Sequence, residues 1–141
     1  METKALYRIA AEENIEVLSF PLQETGSMSV MDGGRCFIGM DETVLDAGPK
    51  ERVHLSHELG HCLTGSFYNR YAAVDCRQRH ENRANKWAIR KLISAGQLDD
   101  AVAEGCVTLW DLAEHFEVTE QFMKKAVCLY TYGNVAAELY F

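Results

Sequence analysis

A chain of 141 residues is long enough to bury a real core and is read as one domain over residues 1–141. Its apolar share of 48% and charged share of 25% are those of an ordinary globular protein, and a net charge of −7 argues against a general binder of nucleic acid or anionic membrane. No run approaches the ~18 apolar residues of a membrane span, and Met1 to Ala11 carries Glu2, Lys4 and Arg8 with no apolar centre, so it does not read as a signal peptide.

The elements follow in chain order. Lys4 to Asn14 reads as a helix, with Leu6, Ile9 and Ala10 at helical spacing. Ile15 to Phe20 reads as a strand stopped by Pro21. Ser27 to Met31 and Arg35 to Met40 are two further strands, joined by the turn signal Asp32-Gly33-Gly34. After a loop over Asp41 to Gly48, Pro49 opens a helix that runs to about Thr64, with Gly65 as its C-cap. Ser66 to Arg79 shows no period and reads as a loop. A helix over His80 to Ser94 follows, stopped by Gly96. Shorter helices are expected over Leu98 to Glu104, Thr108 to Phe116 and Thr119 to Tyr132. The fold class is α+β: a small three-stranded, antiparallel-type sheet, two long helices, and a C-terminal helical segment (about 98–135) packed on the core.

The five cysteines (Cys36, Cys62, Cys76, Cys106 and Cys128) are odd in number and scattered, with no CxxC. They are expected to be reduced thiols, which points to a cytoplasmic location.

The chemistry is concentrated in His57-Glu58-Leu59-Gly60-His61. Residues four apart on a helix share a face, so His57 and His61 can direct two imidazoles at one metal ion. Glu58 is turned about 100° from His57. That places it beside a metal, where it can act as general base. Catalytic zinc sites keep three protein ligands and one open position. Glu81, on the following helix, is the expected third ligand; His80 is the alternative. Asn85, one turn after Glu81, can orient a ligand histidine from behind. Ala84 is small enough to let the two helices approach. Tyr68, Tyr71 and His80 are candidate oxyanion or cleft residues. His54 reads as a solvated histidine at the rim, and Cys62 as a cysteine turned away from the metal face.

The run Glu51 to Gly65, followed by Glu81-Asn82-Arg83-Ala84-Asn85-Lys86-Trp87-Ala88, resembles the ImmA/IrrE family of metallo-endopeptidases. The family pattern is H-E-x-G-H followed by E-x-x-A-[ND]-x-[aromatic]-A. The resemblance implies a zincin-like protease of bacterial mobile elements and prophages. It implies zinc held by His57, His61 and Glu81, with Glu58 as base, and a protein substrate: an XRE-type helix-turn-helix repressor whose cleavage derepresses genes. Asn85 is neutral where related zinc proteases often carry aspartate. The ligand set also suits Mn2+ or Fe2+. An extended substrate is expected along the strand Arg35 to Met40 or its hairpin partner.

A competing reading takes Leu109 to Ala126 as a helix-turn-helix and the chain as a non-catalytic repressor or DNA-binding regulator. Asp111, Glu114, Glu117 and Glu120 oppose direct DNA binding there. A partner-binding module with a structural metal is the other alternative.

Overall fold

The computed structural model describes residues 1–69 and 71–141. The elements run α1 (Thr3–Glu12), β1 (Glu16–Ser19), β2 (Ser27–Asp32), β3 (Arg35–Met40), α2 (Pro49–Thr64), α3 (Val74–Leu92), α4 (Ala95–Ala103), α5 (Leu109–Phe116) and α6 (Glu120–Tyr132), and a short 3-10 turn covers Ala137–Leu139. The class is α+β, as the sequence implies. No helix among the described residues is long and apolar enough to cross a membrane.

The sheet has three strands in the order β1-β3-β2, and it is mixed. The hairpin pair β2–β3 is antiparallel, but β1 pairs with β3 in parallel. This corrects the antiparallel expectation. It also puts β3 in the centre, so that β1 and the hairpin partner β2 are the two edges. Register fixes the faces: Ser27 lies opposite Met40, Ser29 opposite Ile38, and Met31 opposite Cys36. Side chains of paired residues share a face. Ile38 and Met40 are fully buried, so Ser27 and Ser29 point to the same side, towards α2.

Leu55 and Leu59 of α2 are fully buried with Leu6 of α1, Ile89 and Leu92 of α3, and Met123 of α6. Each such side chain contributes about 1.5–3 kcal/mol relative to exposure. Two tyrosine hydroxyls tie the outer helices to this centre: Tyr7 donates to Glu51, and Tyr130 donates to the Ile93 carbonyl.

Two helix boundaries differ from the sequence reading. α3 begins at Val74, so residues 74–79, read as loop, are helical; the rest of that loop includes Arg70, which lies outside the described residues. The first turn and a half of α3 is mostly polar and leaves no apolar stripe to detect. Gly96 does not stop a helix but lies inside α4, because Ser94 caps it in a reciprocal box with Gln97. The cysteines also differ from expectation. Cys36 and Cys62 form a disulfide between β3 and α2, with Cα atoms 5.9 Å apart, while Cys76, Cys106 and Cys128 are free. Spacing could not reveal this pairing: the partners are 26 residues apart and meet only because α2 packs on the sheet.

Candidate metal centre

α2 carries two of the site's side chains and α3 the third. Pro49 stands at the start of α2, and Gly65 ends it in the left-handed region at φ 67°. Between them, His57 and His61 stack edge to face with ring centroids 4.7 Å apart. Glu81 sits two turns into α3 and meets both. Its Oε2 is 2.8 Å from His57 Nε2 and 3.3 Å from His61 Nε2, and the two Nε2 atoms are 3.1 Å apart. Among the described residues these three form the one group whose ligand atoms all lie within 4.8 Å of one another. His80, the alternative to Glu81, is not in it.

The outer hydrogen bonds set the tautomers. His57 Nδ1 lies 2.7 Å from Asn85 Oδ1, and His61 Nδ1 lies on the Ser66 carbonyl oxygen. The carbonyl can only accept, and so can the amide oxygen. Each imidazole therefore donates from Nδ1 and turns an Nε2 lone pair inward. Two lone pairs and a carboxylate oxygen within 3.3 Å repel one another unless a metal ion or a proton lies among them. The donor set thus fits a divalent metal with one or more open positions.

The electrostatics agree. Without a metal, protons on the imidazoles take the cation's place: burial opposes the charge on Glu81, but hydrogen bonds from protonated His57 and His61 and from Tyr68 outweigh it and hold the carboxyl well below its usual range. Burial pulls His61 down, yet Glu81 and the Ser66 carbonyl push it above the ordinary imidazole value. Tyr68 donates to Glu81 Oε1 at 2.7 Å, and its pKa rises to about 12, through that bond and through burial. Tyr68 also stacks on His80, whose Nδ1 is buried without a hydrogen-bond partner among the described residues. Tyr71 is 79% exposed.

Glu58 is 6% exposed, and its carboxylate is held by β2: Ser27 Oγ donates to Oε2 at 2.7 Å and Ser29 Oγ to Oε1 at 2.8 Å. His54 Nδ1 lies 2.7 Å from the same Ser27 oxygen. A hydroxyl has one proton, so with Ser27 donating to Glu58, His54 must donate from Nδ1. His54 is therefore a half-buried member of a hydrogen-bonded chain and not the solvated rim residue expected. Burial is the main cause lowering its pKa, with Glu58 acting in the opposite sense. Sequence reasoning missed Ser27, Ser29 and Ser66. The alternation Ser27-Met28-Ser29 was the available signal, since period two puts both hydroxyls on one face of a strand.

No curated protein gives a significant match to this chain. Residues 10–127 match the family described as IrrE N-terminal-like domain, peptidase family M78.

Proposed function

The chain belongs to the family of IrrE N-terminal-like domains, a metallopeptidase family, and we propose that it is a zinc-dependent endopeptidase in which His57, His61 and Glu81 hold the metal. The observation that carries this reading is the convergence of these three side chains, each imidazole presenting Nε2 and each braced at Nδ1. Mn2+ or Fe2+ would suit the same donors. Asn85 and the Ser66 carbonyl orient the two rings, and Tyr68 orients the carboxylate. The whole described chain would serve as one zincin-like domain, with the helical segment 98–135 bracing the core.

A bound divalent metal supplies Lewis acidity towards a peptide carbonyl and makes water a stronger acid. The rest falls to the chain. The edge strand β2 offers unpaired backbone groups to an extended substrate, which would add to the sheet by main-chain hydrogen bonds. Glu58 is the general base: it takes a proton from the attacking water and passes it to the leaving amine. Ser27 and Ser29 occupy one lone-pair site on each of its oxygens, which leaves others for that proton. Tyr68, whose hydroxyl is bound to Glu81, is the donor best placed for the developing oxyanion; His80 stacks on its ring, and Tyr71 would be a further cleft residue. The substrate that the family suggests is an XRE-type helix-turn-helix repressor of a prophage or mobile element, and that substrate, not the cysteines, supports a cytoplasmic setting. The acidic α5–α6 pair would then contribute to substrate contact and not to DNA binding.

The test is cleavage of candidate repressors by the metal-loaded protein, wild type beside Glu58→Gln. Cleavage at a defined bond by the wild type alone supports the reading. Equal cleavage by Glu58→Gln, with metal retained, contradicts the role of Glu58.

A further inference from the structure

We propose that a cavity on the outer face of α3 binds a small molecule carrying two or three linked phosphates. The cavity has a volume of about 270 Å³ and is lined by Thr64, Arg83, Lys86, Trp87, Arg90 and Lys91. None of the three converging metal-site residues lines it, so this site stands independently of the peptidase reading.

Charge segregation is the reason. The chain holds 21 acidic side chains against 14 lysines and arginines, yet four of those cations and no carboxylate line this one cavity. Arg83, Arg90 and Lys91 are exposed and Lys86 is half-buried, so a guest can reach all four. Among the described residues none of the four forms an ion pair. Arg83, Lys86 and Arg90 share one side of the helix because they recur at helical spacing, and like charges so spaced repel one another. The helix dipole offsets that repulsion for Arg90 and Lys91 in the last turn, but its effect does not reach Arg83 and Lys86. A polyanion in the cavity would relieve all four at once.

The spacing selects the guest. Arg83 and Arg90 stand about 10 Å apart along the helix axis, at 1.5 Å per residue. Their guanidinium forks match phosphate oxygens in two-point geometry, and Lys86 lies between them as a point charge. Linked phosphates place several negative charges within that length. An acidic peptide spaces its carboxylates more widely and turns them to alternate sides of an extended chain. Trp87, half-buried against the core, supplies an apolar surface, with Lys91 Nζ 5.9 Å from its ring centroid. Thr64 forms the wall towards the metal centre. Its hydroxyl donates to the Gly60 carbonyl and lies 2.6 Å from Ser66 Oγ, and the Ser66 carbonyl holds His61.

The experiment follows Trp87 fluorescence in the metal-loaded full chain carrying Trp110→Phe, which leaves Trp87 as the single tryptophan. Magnesium is in excess, so that the phosphates do not strip the metal centre. The probes are inorganic triphosphate, ATP, adenosine and hexaglutamate at matched ionic strength. A saturable change is expected with triphosphate and with ATP, and adenosine and hexaglutamate should bind more weakly by roughly tenfold or more. Arg83→Gln with Arg90→Gln, both at exposed positions, should weaken phosphate binding by roughly tenfold or more at unchanged metal content. Tighter binding of ATP than of triphosphate assigns a nucleotide; equal or weaker binding assigns the linked phosphates alone. No saturable change with either, together with no heat of binding in calorimetry, overturns the proposal. So does binding that the double substitution leaves untouched. Hexaglutamate binding as tightly as triphosphate also overturns it and would make this face a dock for an acidic protein segment.

Discussion

Gly60 of α2 lies so close to Ala84 of α3 that a Cβ at position 60 would come 2.5 Å from the Ala84 carbonyl oxygen. That contact sets how near the two helices lie, and hence how near Glu81 comes to His57 and His61. The obstacle is backbone, which cannot rotate away. Gly60→Ala is therefore expected to destabilise the fold by about 1–3 kcal/mol and to weaken metal binding as well. Urea unfolding and a chelator competition measure the two effects. An unchanged midpoint and unchanged affinity would show that the helices can part without penalty.

Asn85 holds His57 through its amide oxygen. Asn85→Ala should lower metal affinity roughly 10–100-fold while leaving the fold intact. Asn85→Asp keeps the acceptor and strengthens it, so it should bind metal at least as tightly as the wild type. Competition against a chromophoric chelator ranks the three proteins.

Ser29 donates to Glu58 Oε1, and a hydrogen bond to a charged group contributes about 1.5–3 kcal/mol. Ser29→Ala should reduce kcat by about tenfold or more, with KM and metal content unchanged. Thr at the same position, which restores a hydroxyl, should recover much of the loss. A fall in metal content instead of kcat would mean that the β2 serines brace the helix and not the base.

Asp41 accepts from the Thr43 hydroxyl, the Thr43 amide and the Leu22 amide, and these bonds, in that order, lower its carboxyl pKa from the model-peptide value of 3.8. A carboxylate with a depressed folded value stabilises the fold fully above its unfolded value. That contribution is lost as pH falls through the folded value. The stability difference between wild type and Asp41→Asn should thus be largest near neutral pH and shrink below pH 3.8. Denaturant melts across this range test the sign; a difference that grows with acidity would contradict it.

Cys36 and Cys62 close a loop of 26 residues between β3 and α2. On chain entropy alone such a link is worth about 3.5 kcal/mol. Cys36→Ser with Cys62→Ser should lower the unfolding free energy by about that amount, and peptide mapping without reductant should recover the linked pair. Two free thiols in the mapped protein would remove the link from the account.

The residues of the candidate site were largely legible because their spacing is local. His57 and His61 are one helical turn apart, and Glu81 and Asn85 repeat that spacing on the next helix. The β2–β3 hairpin and both ends of α2 were legible too, since Gly33-Gly34, Pro49 and Gly65 carry strong backbone preferences. What escaped is what depends on packing. The parallel partner of β1, the Cys36–Cys62 link, and the serines behind Glu58 all arise where separate elements meet. The polar start of α3 escaped for another reason: its exposed turns have no apolar period to read.

The central claim is that His57, His61 and Glu81 together hold one metal ion. Elemental mass spectrometry of the purified protein, wild type beside Glu81→Ala, tests it most directly. About one zinc per wild-type chain and a large loss in the variant are expected. No metal in the wild type after zinc addition, or equal metal in both proteins, would contradict it.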